Sequence, residues 1–251
     1  MQNCSFMARL LCIFLALVCF APLSAQVQGD SVAAKPRFKA GKVVMPLSLI
    51  GAGTLGFVEP FRTSRYEVRD YLDAWRGDHR VTVDDYLQYV PLGSVYGLSL
   101  LGADAKHGYV DRTLELAVSY AALGAMVNAV KYTVREPRPD GSARNSFPSG
   151  HTATTFMGAE LVRIEYGDDH PWLAAGAYTI ATATGALRVY NNHHWISDVI
   201  AGAGVGILSA RIGYWLLPYT KRVMHRITGW DMFVAPTASS TGATLNTIVR
   251  F

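Results

Sequence analysis

The sequence predicts an all-α protein, a helical bundle of about five or six helices, and three observations lead to this prediction. Half of the 251 residues are apolar, which is high for a soluble enzyme. Several uncharged stretches have the length and composition of helices. Only the C-terminus shows strand-like alternation, where residues 244–251 are expected to pair with residues 232–236 in a short β-hairpin.

Five uncharged stretches account for most of the predicted helices, and a further helix is expected after His151. The stretches contain 12 to 18 residues, whereas a membrane span needs roughly 20 apolar residues. Two interpretations therefore stay open, namely short membrane spans, which we favour, and the buried helices of a soluble domain. The stretches are residues 43–58, 86–103, 116–130, 171–187 and 199–210.

The N-terminus is typical of a secretory signal. Arg9 precedes an apolar stretch over residues 10–20, and Ala25 suits the position before a cleavage site. An uncleaved membrane anchor is the alternative. All three cysteines lie within this leader, so the rest of the chain has no thiol for a disulfide or for catalysis.

The first motif with chemical potential places two cations near one helix terminus. Lys131 ends an apolar helix, and Arg138 follows between Pro137 and Pro139, which stop the helix. Arginine offers a planar fork that matches phosphate oxygens, and lysine supplies a point charge. Taken alone, the motif is equally typical of a solvated basic helix end.

The second motif, Ser146-Phe-Pro-Ser-Gly-His-Thr152, predicts a tight turn followed by the start of a helix. Free backbone N–H groups at such a start bind anions, and Gly150 lets the backbone approach a ligand closely. Ser149 can cap the helix or donate, and His151 would lie beside a bound phosphate. A capped helix with an incidental histidine is the plainer interpretation.

The third motif joins Arg188, His194 and Asp198. His194 and Asp198 are four residues apart and would share one face of a helix. An aspartate there can accept the Nδ1 proton and leave Nε2 free to attack, although a lone His–Asp pair is more often structural. The neighbouring His193 would point about 100° away on a helix and is interpreted as an exposed side chain.

Together, the order Lys-x6-Arg-Pro, Pro-Ser-Gly-His and Arg-x5-His-x3-Asp resembles the type 2 phosphatidic acid phosphatase and vanadium haloperoxidase superfamily, over roughly residues 86–217. The resemblance implies a metal-independent phosphatase that forms a phosphohistidine on His194. It makes Asp198 the orienting carboxylate and His151 the general acid and base. Leu187 departs from the family, which often has serine there. The phosphate-binding residues that the resemblance implies are Lys131, Arg138, Ser149, Gly150 and Arg188.

Composition argues against two other classes of function. The net charge is only +4 and there is no run of Lys or Arg, so nucleic acid is not an expected partner. HExxH and CxxC motifs and carboxylate clusters are absent from the sequence, so no cofactor is expected and vanadate should act as an inhibitor.

Arg135 and Arg144 flank the site and either meet a second anionic group or are merely solvated. His107, His170 and His225 show no partner spacing and receive no role.

The sequence of residues 156–160 and 190–195 resembles the corresponding segments of lipid A phosphatases from Gram-negative bacteria. The resemblance implies hydrolysis of a lipid phosphomonoester at the periplasmic side of the inner membrane, with the 4′-phosphate of lipid A slightly preferred. A soluble periplasmic acid phosphatase of broad specificity is the main alternative. The others are a phosphatidylglycerophosphate or undecaprenyl pyrophosphate phosphatase, a vanadate-dependent haloperoxidase, and a non-catalytic membrane binding protein. The oligomeric state is not predicted.

The expected organisation has four parts. These are a signal peptide or anchor (1–25), an N-terminal linker with the first apolar helix and a polar crossing segment (26–85), the catalytic domain (86–220) and a C-terminal extension (221–251).

Overall fold

The computed structural model describes residues 39–228 and the backbone of residues 231–239 and 242–250, so the predicted signal peptide lies outside the described residues. These parts of the chain contain eight α-helices and one β-hairpin, which confirms the all-α prediction. The helices are α1 (Gly41–Thr54, followed by a 3-10 turn at Leu55–Phe57), α2 (Phe61–Arg76), α3 (Asp84–Leu87), α4 (Val90–Leu100), α5 (Tyr109–Val134), α6 (Gly150–Tyr166), α7 (Pro171–Tyr190) and α8 (Ile196–Thr228).

Helix α8 is the centre of the bundle. It packs against α1, α5 and α6, while α4 and α7 pack on α6. Small residues of α8 permit this close approach, since a Cβ atom at Gly206 would lie 2.9 Å from the backbone nitrogen of Met157 in α6. The consequence is that α6 and the first half of α8 are almost entirely buried.

Two of the described helices, α5 and α8, are long and apolar enough to cross a membrane. The bent pair formed by residues 41–57 and 61–76, with an angle of 84°, would add a third span if it is counted as one. The uncharged stretches gave shorter lengths because both helices continue past charged side chains, α5 beyond Lys131 and α8 beyond Arg211. These lengths and compositions are those of a membrane protein.

The polar segment over residues 59–85 differs from the expected surface crossing. It forms α2 and the start of α3, and Arg65 and Asp84 are only 4% and 1% exposed. The Arg65 guanidinium lies 2.7 Å from the Glu136 carboxylate. The segment therefore packs against the loop that follows α5, and it accounts for the helices beyond the predicted number.

The C-terminal hairpin agrees with the sequence pattern. Strands β1 (Asp231–Ser239) and β2 (Gly242–Arg250) are antiparallel, and Val234 is opposite Thr247. Helix α8 continues to Thr228, so the boundary expected between residues 220 and 221 falls inside a helix.

Candidate active site

The eight predicted site residues lie at the ends of four helices or in the loops beside them. Lys131 is in the last turn of α5, and Arg138 lies in the loop between α5 and α6. Ser149, Gly150 and His151 form the start of α6. Arg188 is in the last turn of α7, His194 lies between α7 and α8, and Asp198 is in the first turn of α8.

His194 lies in the middle of this cluster and is only 2% exposed. Its Nδ1 atom is 3.4 Å from the Ser146 hydroxyl and 3.6 Å from Oδ2 of Asp198. The Ser146 hydroxyl also donates to that carboxylate oxygen, and the Trp195 backbone N–H donates to it at 3.0 Å. The imidazole is thus oriented through Nδ1 by a carboxylate and a hydroxyl together, which leaves Nε2 as the nitrogen available for chemistry.

The surroundings of His194 favour its neutral form. Burial lowers the pKa of His194 well below its usual range, and the positive charges of Arg188, Lys131 and Arg138 lower it further. At neutral pH the ring therefore carries no positive charge and Nε2 has a free electron pair. A neutral imidazole surrounded by cations is suited to attack an anionic phosphoryl group.

The start of α6 is held against the start of α8. The Ser149 N–H donates to the backbone carbonyl of Asp198 at 3.0 Å, and the Ser149 hydroxyl accepts from the Thr152 hydroxyl at 2.9 Å. A Cβ atom at Gly202 would lie 2.6 Å from the Ser149 carbonyl oxygen. The absence of a side chain at residue 202 therefore lets the turn at Ser149, which is predicted to bind phosphate, approach Asp198 and His194.

Asn145 organises the two cations of the first motif. Its side-chain oxygen accepts from Nε of Arg138 at 2.9 Å, and its backbone carbonyl accepts from Nζ of Lys131. The loop between them is fixed by the Trp195 indole, which donates to the Pro137 carbonyl at 2.9 Å. Lys131 and Arg138 are thereby held on the same side of the site as Ser146.

Two acidic residues of α3 complete the opposite side of the site. Arg188 NH1 lies 2.8 Å from Asp84 and 3.1 Å from Asp85, while Nε of Arg188 is buried with no acceptor among the described residues. The Asp85 carboxylate also lies 3.2 Å from Nε2 of His151. Asp85 thus connects the guanidinium to the expected general acid.

His151 experiences opposing influences. Burial and the charge of Arg188 lower the pKa of His151, while Asp85 and Asp84 act in the opposite direction and leave it below the usual histidine value. The two histidines therefore have different surroundings. Positive charges have the larger influence on His194 although Asp198 lies 3.6 Å from its Nδ1, whereas Asp85 partly offsets the lowering of the pKa at His151.

Three other predicted residues have a peripheral place. His193, which was predicted to be exposed, is partly exposed, and its Nδ1 lies 3.3 Å from Asp140. Arg135 is exposed and donates to the carbonyl of Tyr132 at 3.2 Å, and Arg144 is exposed. Neither arginine contacts the central histidine.

The sequence reasoning gave no role to Ser146, Asn145, Asp84 or Asp85. Ser146 stands within the second motif, and Asn145 directly precedes it, so the motif itself was the available signal. The two aspartates lie more than 100 residues before Arg188, and no spacing could have connected them.

The arrangement can bind an anion and act on it. Three cations and the start of a helix surround a neutral imidazole, which a carboxylate orients, and a second histidine lies at the other side. Such a site can hold a phosphoryl group, attack it with Nε2 and protonate the leaving oxygen.

Comparison with known proteins gives two curated relatives that match part of the chain. The chain is 42% identical over 152 residues to a lipid A 1-phosphatase of Porphyromonas gingivalis, covering 59% of this chain and 34% of that protein. It is 36% identical over 74 residues to the bacitracin transport permease protein BcrC of Bacillus licheniformis, covering 30% of this chain and 34% of that protein. The chain thus spans about a third of the length of these curated relatives.

A solved structure and a family model also match. The crystal structure of LpxE from Aquifex aeolicus aligns with a TM-score of 0.44 and 19% identity, covering 57% of this chain and 92% of that chain. The PAP2 superfamily model matches residues 112–222, which include every predicted site residue. The chain is therefore similar to the PAP2 superfamily over residues 112–222.

Proposed function

We propose that the chain is a membrane phosphatase that hydrolyses a lipid phosphomonoester through a phosphohistidine intermediate on His194. The main support is the environment of this side chain, whose Nδ1 faces Ser146 and Asp198 while three cations surround the buried ring. The match to a relative named as a lipid A 1-phosphatase supports the same class of reaction.

The reaction begins with attack by the electron pair of His194 Nε2 on phosphorus. The phosphorus–oxygen bond to the lipid breaks, and His151 gives its proton to the leaving oxygen. Water then attacks the phosphohistidine, and His151 accepts a proton from that water. Inorganic phosphate leaves, and both histidines return to their initial state.

The cations stabilise the charge that spreads over the phosphoryl oxygens in the transition state. Lys131 and Arg138 approach from the side of Asn145, and Arg188 approaches from the side of α3. The buried Nε of Arg188, which has no acceptor among the described residues, is suited to a phosphoryl oxygen. Ser149 and the Gly150 N–H would donate from the start of α6. The mechanism uses no metal or other cofactor, and vanadate would compete for the same oxygen-binding groups.

We propose lipid A as the substrate and the periplasmic side of the inner membrane as the place of reaction. The relative from Porphyromonas gingivalis is named for the 1-phosphate, which we now take as the first candidate in place of the 4′-phosphate. Two helices of sufficient length for a membrane favour a substrate that is itself held in the membrane.

The test is phosphate release by the detergent-solubilised full-length protein, with lipid A products identified by mass spectrometry. We expect loss of one phosphate from lipid A and little activity on p-nitrophenyl phosphate. Phosphatidylglycerophosphate and undecaprenyl pyrophosphate serve as competing substrates. A preference for p-nitrophenyl phosphate without detergent would favour the soluble acid phosphatase instead.

Two adjacent histidines provide a matched pair of variants. His194→Ala should lower kcat/KM by about 10⁴-fold or more because the nucleophile is lost. His193→Ala changes a partly exposed side chain that contacts Asp140 and should retain most of the activity. A phosphohistidine captured by rapid acid quench in the wild type and absent in His194→Ala would support the intermediate. Equal losses in both variants would refute the assignment.

A further inference from the structure

Three ionisable side chains meet at the opposite end of the bundle from the candidate active site. His107 precedes α5, Glu115 is in the second turn of α5, and Glu165 is in the last turn of α6. One potential ligand atom from each side chain lies within 4.8 Å of the other two. The sequence gave His107 no role because Glu165 is 58 residues away.

Glu115 is the member of this cluster whose buried carboxylate lacks a hydrogen-bonding partner in the described part of the chain. It is 1% exposed, and among the described residues no donor reaches either of its carboxylate oxygens. Glu165, in contrast, accepts from the His107 backbone N–H at 2.9 Å and lies 2.7 Å from Nδ1 of the same residue. Burial of a carboxylate with no partner is costly, so a positively charged species is expected beside Glu115.

The neighbouring cationic side chains form no ion pair with Glu115 among the described residues. NH1 of Arg112 donates to the hydroxyls of Ser99 and Tyr166 at 3.0 and 2.9 Å, and its buried Nε makes no hydrogen bond to a described residue. Nζ of Lys106 lies 3.6 Å from Asp168, and its charge acts on Glu115 only from beyond ion-pair distance. A positive charge in direct contact with Glu115 can come from His107, from a proton shared between the carboxylates, or from a metal ion.

We propose that His107, Glu115 and Glu165 bind one divalent transition-metal ion, with zinc as the first candidate. One imidazole nitrogen and two carboxylate oxygens form a donor set that zinc accepts, whereas magnesium and calcium prefer oxygen alone. The His107 side chain is 14% exposed and gives the ion a route from solvent. The ion would connect α5, α6 and the segment before α5.

The metal has a structural role in this proposal. Glu165 lies 15 residues beyond Gly150 on the same helix, a separation of about 22 Å at 1.5 Å per residue. The ion is therefore too far from His194 to touch a phosphoryl group bound there. The proposal is independent of the phosphatase function, and either can fail without the other.

The test uses the tag-free full-length protein in detergent, dialysed against metal-free buffer and analysed by inductively coupled plasma mass spectrometry. We expect about one zinc per chain. After treatment with EDTA, added zinc at a concentration well above its Kd should raise Tm by about 5 °C or more. Manganese is the second metal tested, since carboxylates also suit it.

Glu115→Gln keeps the shape of the side chain and should abolish both zinc binding and the zinc-dependent rise in Tm. His107→Ala should do the same, and it serves as the second variant if the first does not fold. Asp168→Asn is the control, because this exposed carboxylate near the same helix end pairs only with Lys106 among the described ion pairs. Wild-type protein without bound metal and without a Tm response would overturn the proposal in favour of a shared proton. Full zinc binding by Glu115→Gln would also overturn it.

Discussion

At the scale of single residues, the neighbours of the two histidines suit the different roles that we propose for them. Cations have the larger influence on His194 and favour its neutral form, although Asp198 lies 3.6 Å from its Nδ1. His151 lies 3.2 Å from the Asp85 carboxylate, which favours the protonated imidazole. Burial and Arg188 leave the pKa of His151 below its usual value, so Asp85 offsets only part of their effect.

Asp85→Asn tests this division through the pH dependence of activity. In the proposed mechanism protonated His151 is the active acid, so kcat/KM should fall as the pH rises through the pKa of His151. Asp85 raises that pKa against the effects of burial and Arg188. Its neutralisation should therefore move the basic limb of the kcat/KM profile to lower pH.

The matched control for this profile is Asp78→Asn, which neutralises an exposed acid of the preceding loop. It should leave the basic limb unchanged. A basic limb that stays in place in Asp85→Asn would contradict the role of Asp85 in supporting the acid.

Ser146→Ala tests the contact that the sequence motif did not assign. The hydroxyl donates to Asp198 and lies 3.4 Å from Nδ1 of His194. Its removal should leave the fold intact and reduce kcat by roughly tenfold or more, since one buried hydrogen bond that orients the proposed nucleophile is lost. Steady-state kinetics should show a small change in KM. An unchanged kcat would show that Asp198 orients the ring without the hydroxyl.

The sequence could predict the central site residues because their roles depend on short spacings. Four residues separate His194 from Asp198, and one turn places Gly150 beside His151. It could not predict Asp85 or Glu115, because their partners come from distant parts of the chain and the same residue types are common on solvated helix faces.

At the scale of helices, the position of α8 against α6 controls the site. The backbone of α8 approaches the Ser149 carbonyl so closely at Gly202 that even a methyl group would lie 2.6 Å away.

The long apolar helices were predictable from uncharged stretches, since burial or lipid contact requires such composition. Helix α2 was not predicted, because its charged sequence is typical of a surface segment. The burial of Arg65 depends on Glu136, which lies 71 residues later in the chain.

Gly202→Ala should disturb this contact. We expect destabilisation by about 1–3 kcal/mol from overpacking, together with reduced kcat because Ser149 and Asp198 would move apart. Thermal unfolding in detergent should show Tm lowered by about 2–4 °C per kcal/mol.

Gly176→Ala in α7 is the matched control, since a Cβ atom there meets no heavy atom within 4 Å. It should be neutral or stabilising by up to about 1 kcal/mol, because alanine favours the helix over glycine. A Tm of Gly202→Ala equal to that of the wild type would contradict close packing of α8 on α6.

At the scale of the whole molecule, the distribution of buried surface describes how the bundle meets its surroundings. In the most apolar window of α8, 67% of the residues are buried inside the protein, whereas only 22% are buried in the corresponding window of α5. Helix α8 is thus a core helix that is also long enough to span, and α5 presents most of its apolar side chains outward. An outward apolar surface of this length is expected to face lipid.

Ala125→Lys tests whether α5 crosses the membrane. Ala125 is exposed in the second half of this apolar helix. A lysine near the centre of a span costs about 2.5–3.5 kcal/mol for insertion, so the amount of protein in the membrane fraction after an alkaline carbonate wash should fall several-fold. Asp104→Lys places the same side chain in an exposed loop before α5 and should leave that amount unchanged. Equal recovery of the two variants, or release of the wild-type protein by the wash, would contradict a membrane-spanning α5 and favour a soluble bundle.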